Sequence, residues 1–303
     1  MTEYLRSLLL AAVRRSWRLQ KSLSLIMPLE NTAIKVPVLL GLGLHNLTFS
    51  ERERRFTGLL RRLLALQPGA VIDVGANIGR FLIYLLQADR ARPYIGFDVH
   101  IACANYLEEM IRTNDLRQHS VFAFGLSDHA GIVMLRTNDH QDVSATTTRE
   151  FYTPSRLTLE KPVRVDVGDD VLAGVTEIAL IKIDVEGGEL EVIRGMSDTL
   201  RRARPSLIIE VAPYQHMLSS NDEPDFVERT AVGEFRRRRI AELEAMLRSC
   251  DYEFFWIGDG DILDHRETLD PGQSTDIQEM DYLCLPIERV PDVMAHVKNN
   301  RQG

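Results

Sequence analysis

An α/β chain built on a doubly wound, mostly parallel sheet is what this sequence predicts, and three observations predict it. Short apolar runs alternate with helical stretches from residue 70 onward. Several of these runs are continuously apolar, as strands covered on both faces are. The first run passes through a glycine-bearing turn, Gly75-Ala76-Asn77-Ile78-Gly79, straight into a helical stretch. Strands alternating with helices close by right-handed crossovers into a parallel sheet.

The elements follow in order. Residues 1–22 read as a basic amphipathic helix, with Leu5, Leu8, Leu9, Ala12, Val13 and Trp17 at helical spacing and Arg6, Arg14, Arg15, Arg18 and Lys21 as its charges. Such a helix docks on the domain that follows or lies on an anionic membrane surface, and docking is the favoured reading. Residues 28–46 are apolar, with Pro28, Pro37, Gly41 and Gly43, and read as irregular chain or short strands. Ser50 is placed to cap a helix with Glu51 and Glu53 in its first turn, and Pro68-Gly69 stops it. Strands are expected at 70–74, 94–97, 120–124, 178–183, 207–211, 252–257 and 282–285. Helices are expected at 79–87, 101–112, 189–200 and 236–250. Two long segments, 136–161 and 213–234, interrupt the alternation, and loops of that length carry function or lack order. The run Arg236–Arg239, with Glu234, Glu242 and Glu244 nearby, reads as a solvated, salt-bridged helix face. The expected organisation is an N-terminal helical extension over 1–50 and a Rossmann-like domain over 51–303.

Bulk properties exclude several classes. The 303 residues are 45% hydrophobic, enough for one sizeable core. A net charge of −8 argues against a phosphate-backbone binder, so no nucleic-acid partner is expected. The three cysteines, Cys103, Cys250 and Cys284, lack the spacing of a disulfide framework or a zinc site. The longest apolar stretch, from Val36 to about Phe49, is too short to span a bilayer. A soluble, cytoplasmic chain is expected.

The turn after the first strand marks a ligand site, because doubly wound sheets bind ligands outside the carboxyl ends of their strands. Gly75, Asn77 and Arg80 occupy the places of the three dinucleotide-fingerprint glycines, so only the first fits. Gly75, Asn77 and Gly79 instead fit a GxGxG-type turn with its middle glycine replaced. That relaxation suits S-adenosylmethionine, which has no pyrophosphate to approach, better than NAD. A ligand-free tight turn remains open from the glycines alone. Asp98 ends the next strand, where a carboxylate can accept hydrogen bonds from two ribose hydroxyls.

Farther along, Lys182, Asp184 and Glu186 stand at i, i+2 and i+4, on one face of a strand. Charges in a central strand make sense where that face opens into a cleft. Glu210 ends the adjacent strand and would face the same crevice. If the ligand is S-adenosylmethionine, the reaction is methyl transfer, and a weakly nucleophilic hydroxyl acceptor then requires a base or a metal ion. Asp184 or Glu186 is the expected base, with Lys182 orienting it. A magnesium-like ion on Asp184, Glu186 and Glu210 is the other route. The structural alternative pairs Lys182 with Asp184 and lets Glu186 cap the next helix. Of the histidines, His100, His140 and His216 stand near the cleft; His216, with Tyr214 beside it, is the best placed for an acceptor.

Asp-Val-Gly-Ala-Asn-Ile-Gly at 73–79, Ile181-Lys182-Ile183-Asp184-Val185-Glu186-Gly187-Gly188-Glu189, Gly195 and the stretch from Pro205 to Glu210 together resemble the FkbM-type methyltransferases over roughly residues 68–212. The resemblance implies a class I methyltransferase that uses S-adenosylmethionine to O-methylate a sugar or natural-product hydroxyl. It implies that Asp73, Gly75, Ala76, Asn77 and Gly79 surround the methionine moiety. It also implies that Asp98 holds the ribose and that Ser127 and Asp128 lie near the adenine. Asp98-Val99 departs from the family's frequent Glu-Pro, which leaves ribose binding intact and the loop shape open. The acceptor, a small molecule or glycan, is not implied. A catalytically silent S-adenosylmethionine-binding module and an NAD(P)-dependent oxidoreductase are the competing readings.

Overall fold

A computed structural model describes residues 24–29, 33–39, 42–137, 145–152, 159–212, 226–259, 261–269 and 280–299. The basic helix expected over 1–22 lies outside them, as do His140, Tyr214 and His216. The segment before residue 50 contributes an antiparallel hairpin, β1 (Ser24–Pro28) and β2 (Lys35–Leu39). Ile34, Val36, Val38, Leu44 and Leu47 bury themselves in the main core beside the first helices.

The central sheet has eight strands. In chain order they are β3 (Ala70–Val74), β4 (Tyr94–Phe97), β5 (His119–Phe122), β9 (Ile178–Ile183), β10 (Ser206–Glu210), β11 (Tyr252–Gly258), β12 (Ile262–Arg266) and β13 (Asp281–Pro286). Their spatial order is β12-β11-β13-β10-β9-β3-β4-β5. The five strands from β10 to β5 are parallel. Only β13 and the edge strand β12 run against them. The chain starts at β3, winds outward through β4 and β5, then returns to β9 on the other side of β3. This is the doubly wound, Rossmann-like arrangement, and the reversal puts the carboxyl ends of β3 and β9 side by side.

Helices cover both faces. On one lie α1 (Glu51–Leu66), α2 (Arg80–Ala88), α3 (Ile101–Thr113) and α8 (Val290–Asn299). The other carries α5 (Glu189–Gly195), α6 (Ser197–Ala203) and α7 (Phe226–Ser249). A single-turn helix, α4 (Gly168–Val171), precedes β9. Helix α1 starts on a capping box: Glu53 N donates to Ser50 Oγ at 3.2 Å and Ser50 N donates to Glu53 Oε2 at 2.6 Å. Its Phe56, Leu59, Leu60, Leu63 and Leu64 are buried at the i, i+3, i+4 spacing of an amphipathic helix.

Three sequence expectations are corrected. The segment 136–161 is not one long loop. It joins β7 (Gly131–Thr137) to β8 (Leu159–Val167), which with β6 (Gly125–Ser127) form a separate sheet ordered β6-β8-β7. The helix expected over 189–200 breaks into α5 and α6 at Met196, whose φ of −117° leaves the helical range. The 213–234 interruption shrinks, because α7 already starts at Phe226.

Candidate functional site

A cleft of about 400 Å³ opens at the carboxyl ends of β3, β4 and β9, roofed by the three-stranded sheet and the segment 145–150. Its floor is the turn after β3. Gly75 has φ 81°, and a Cβ there would stand 1.8 Å from the Asp184 carbonyl oxygen, so only glycine fits between the two strand ends. Gly75 N and Ala76 N both donate to Phe97 O, at 2.9 and 3.0 Å, and Asp184 N donates to Val74 O at 3.0 Å. These bonds lock the ends of β3, β4 and β9 together. Asn77, at φ 48°, holds the turn with its own side chain, as its Oδ1 accepts from Ile78 N at 2.8 Å.

Asp98 is buried at the edge of this floor. One carboxylate oxygen accepts from Asn77 N at 2.6 Å, the other from His100 N at 2.7 Å. Burial pushes its pKa up to about 6, against the pull of those two amides. Each oxygen keeps a lone pair for a ligand hydroxyl. Beyond it, Phe97, Val99, Leu126, Leu135, Val165 and Val192 make an apolar slot.

At the end of β9, Lys182 Nζ donates to Asp184 Oδ2 at 2.8 Å and to Gly75 O at 3.3 Å, and lies 3.8 Å from Asp73 Oδ1. Tyr94 Oη donates to the other Asp73 oxygen at 2.7 Å. Asp184 lines the cleft. The sequence expectation for Glu186 fails in direction. The strand ends at Ile183, and Glu186 (φ 53°) and Gly187 (φ 102°) swing the chain off its face. The Glu186 carboxylate accepts from Tyr152 Oη at the wall of the cleft, instead of continuing the row behind Asp184. Glu210 ends β10 and lines the same cleft. Burial first, then the charges of Asp184, Asp281 and Glu186, push its pKa well above the carboxylate range.

Of the residues singled out in the sequence, Gly75, Asn77, Asp98, Ser127, Asp184, Glu186 and Glu210 line the cleft. Others do not. Asp73 is fully buried beneath the floor, Ala76 belongs to the core, and Gly79 starts α2 with its α-carbon facing Leu107 and Met110. Asp128 turns away to His129 Nδ1 at 2.9 Å, leaving Ser127 in the wall. Lys182 reaches the site through Asp184. Among the described residues, no group of three or more His, Cys, Asp or Glu side chains is arranged to hold a metal ion. His100 lines the cleft but is engaged, its Nδ1 accepting from Ala102 N at 3.3 Å to cap α3.

Sequence reading missed the roof. Thr147, Thr148, Arg149 and Glu150 line the cleft, as do Phe235 and Arg239 of α7. Thr146 Oγ1 donates to Glu186 O, and Thr148 Oγ1 donates to Gly187 O at 3.0 Å, so the segment is pinned to the turn after β9. The arginine run is not merely a solvated face. Arg236 is buried, donates through Nε to Phe151 O at 3.0 Å, and stacks on the Phe151 ring at 4.4 Å. Arg239 pairs with Glu191 and donates to Gly187 O at 3.0 Å. Only Arg237 and Arg238 are exposed.

The family model of the methyltransferase FkbM domain matches residues 73–254, more than half of the chain. Methyltransferase sdnD from Sordaria araneosa is 28% identical over 156 residues, which cover 42% of this chain and 60% of that protein. The chain thus spans about 60% of the length of this curated relative. Among solved structures, methyltransferase FkbM from Methylobacillus flagellatus KT is 16% identical with a TM-score of 0.41, covering 72% of this chain and 43% of that one. O-methyltransferase TomG from Streptomyces achromogenes is 13% identical with a TM-score of 0.42, covering 79% and 81%. The family match spans the turn after β3, the Lys182–Glu189 stretch and Glu210 alike, and the chain belongs to the FkbM methyltransferase family.

Proposed function

We propose that the chain is an S-adenosylmethionine-dependent O-methyltransferase that modifies a hydroxyl of a small molecule or sugar. The observation that carries the cofactor is the charge of the cleft. Six carboxylates line it (Asp98, Glu150, Asp184, Glu186, Glu191 and Glu210) against two arginines, Arg149 and Arg239. A sulfonium cation suits such a lining, and the pyrophosphate of NAD does not. The fit continues group by group. Asp98 would take ribose hydroxyls, the slot of Val99, Leu126, Leu135 and Val165 would take the adenine, and the turn at Gly75 and Asn77 would face the methionine moiety. When bound, the cofactor supplies an activated methyl group.

The chain's own residues do the rest. Transfer needs the acceptor oxygen held in line and relieved of its proton. Glu210 is the proton acceptor in this reading. No hydrogen bond or ion pair engages its side chain among the described residues, and a carboxylate with a raised pKa is a stronger base than an ordinary one. Asp184, held by Lys182, orients the hydroxyl as a fixed acceptor, and Lys182 is a positioning residue. Both carboxylates being on the cleft wall also supports an active enzyme over a silent binding module. No metal ion is invoked.

Calorimetric titration of wild type and Asp98→Asn with S-adenosylmethionine and with NAD tests the cofactor. S-adenosylmethionine should bind wild type and lose about tenfold or more in the variant, the worth of a hydrogen bond to a charged group. Binding of NAD in preference to S-adenosylmethionine would overturn the assignment.

A further inference from the structure

Behind Asp184 lies a second cavity of about 150 Å³ that the cofactor reading leaves unused. It sits between α1, α2, the carboxyl ends of β9 and β10 and the amino end of β13. Arg52 and Phe56 come from α1, Tyr84 from α2, and Asp184, Ile208 and Asp281 from the sheet side. Asp184 lines both spaces, so the two meet at this residue. Asp281 is the register partner of Glu210 across β10 and β13, which brings the second cavity up to the group that takes the proton.

We propose that this second cavity is the acceptor pocket, and that it takes a small, hydroxyl-rich group without negative charge, such as one neutral or amino-bearing sugar ring. The inference rests on the methyltransferase reading above. Size argues for one small group: a space of about 150 Å³ is too little for an internal unit of a polymer with both neighbours attached. The lining offers both apolar and polar contact, with Phe56 and Ile208 for ring faces and Asp184, Asp281 and Tyr84 for hydroxyls. Charge argues against an anion. Arg80 gives its guanidinium to Glu53, to His45 O at 2.8 Å and to Thr48 O at 2.7 Å. Lys182 is taken by Asp184, Asp73 and Gly75 O. Arg52 lies 3.8 Å from Asp281. The acids on the lining match these three cations one for one: Glu53 with Arg80, Asp184 with Lys182 and Asp281 with Arg52. An entering carboxylate or phosphate would meet acids with no cation left to spare, and an entering hydroxyl or ammonium would meet acceptors.

The test uses the full chain loaded with S-adenosylhomocysteine. Binding of methyl glucoside, methyl 2-amino-glucoside and methyl glucuronide is followed by ligand-observed NMR, in wild type and in Asp281→Asn. The neutral and amino glycosides should bind wild type at least tenfold more tightly than the glucuronide. Asp281→Asn should weaken them by about tenfold while leaving S-adenosylmethionine affinity within twofold, which also reports that the variant is folded. Glucuronide binding as tightly as the neutral sugar, or no glycoside binding at all, overturns the proposal. So does unchanged glycoside affinity in Asp281→Asn. Failure of wild type to bind S-adenosylmethionine in the first place is a separate result and sinks the methyltransferase reading instead.

Discussion

As the proposed base, Glu210 has two requirements to meet: it must be near the acceptor, and it must hold a proton more readily than an ordinary carboxylate. Its surroundings supply the second. Burial and the charges of Asp184, Asp281 and Glu186 all favour the neutral acid, and only Lys182 opposes them. A base must be ionised to act, so turnover should fall as pH drops through the raised pKa of Glu210, well above the usual carboxylate range. Glu210→Gln should lower kcat by about 10²–10⁴-fold and abolish that acid limb, with cofactor affinity kept. A pH–rate profile of the variant that retains the limb would assign it elsewhere. Gly75 makes the complementary case for shape. Gly75→Ala meets both a positive φ and a carbonyl oxygen 1.8 Å from the new methyl, so β3 and β9 must part. A loss of about 1–3 kcal/mol and of S-adenosylmethionine binding is expected, read from thermal melts and calorimetry.

Elements differ in how plainly the chain announces them. Strands β3 and β9 are buried on both faces, so their continuous apolar runs, AVIDV and IALIKI, declare them, and Ser50 with Glu53 declares the start of α1. The β6-β8-β7 sheet was not legible. Its strands are short or largely solvent-facing, with Ile132 and Met134 exposed, and β8, although it alternates between half-buried and exposed residues, buries only Val165. Nor was the division between α5 and α6. It depends on a distant contact: a Cβ at Gly195 would lie 1.9 Å from Ser127 O, so this helix end presses against β6. The site followed the same divide. Asp98, Asp184 and Glu210 end strands and could be placed by counting, whereas the roof is held by Arg236, whose partner is a backbone carbonyl 85 residues away. Arg236→Leu should therefore act through the roof. Leaving Phe151 O unpaired costs about 1–3 kcal/mol, and amide exchange over 145–152 should quicken while exchange in β3 and β9 is kept. Arg238→Ala, on the exposed part of the same run, should stay within about 0.5 kcal/mol of wild type. Equal effects from both would return the run to a solvated face.

At the scale of the whole molecule, the same carboxylates that shape the site set its response to pH. Asp73, Asp98, Glu189, Glu210 and Asp281 all have raised pKa values, burial being the first cause in each. A carboxyl group whose pKa is higher folded than unfolded binds its proton more tightly in the folded state. Its contribution is fully present below the unfolded value and is lost as pH rises through the folded one. His119 has the opposite sign: burial pushes it down to about 4, so between there and its ordinary value stability rises with pH. Asp98, raised to about 6, and His119 therefore offset one another in mildly acidic solution. Above about pH 6.5 His119 is neutral in both states, and the more strongly shifted Glu210 is left to act. The ligand-free chain should thus melt at lower temperature as pH rises above about 6.5 and through the raised pKa of Glu210, with Glu210→Gln flattening the decline. Saturating S-adenosylmethionine should raise the melting temperature by more at the upper end of that range than at the lower, because a sulfonium is attracted to ionised acids and not to neutral ones. A melting temperature that climbs with pH over this interval in the ligand-free wild type would mean that these carboxylates are already ionised and satisfied in the empty cleft, and the electrostatic basis for both the base and the cofactor would fall with it.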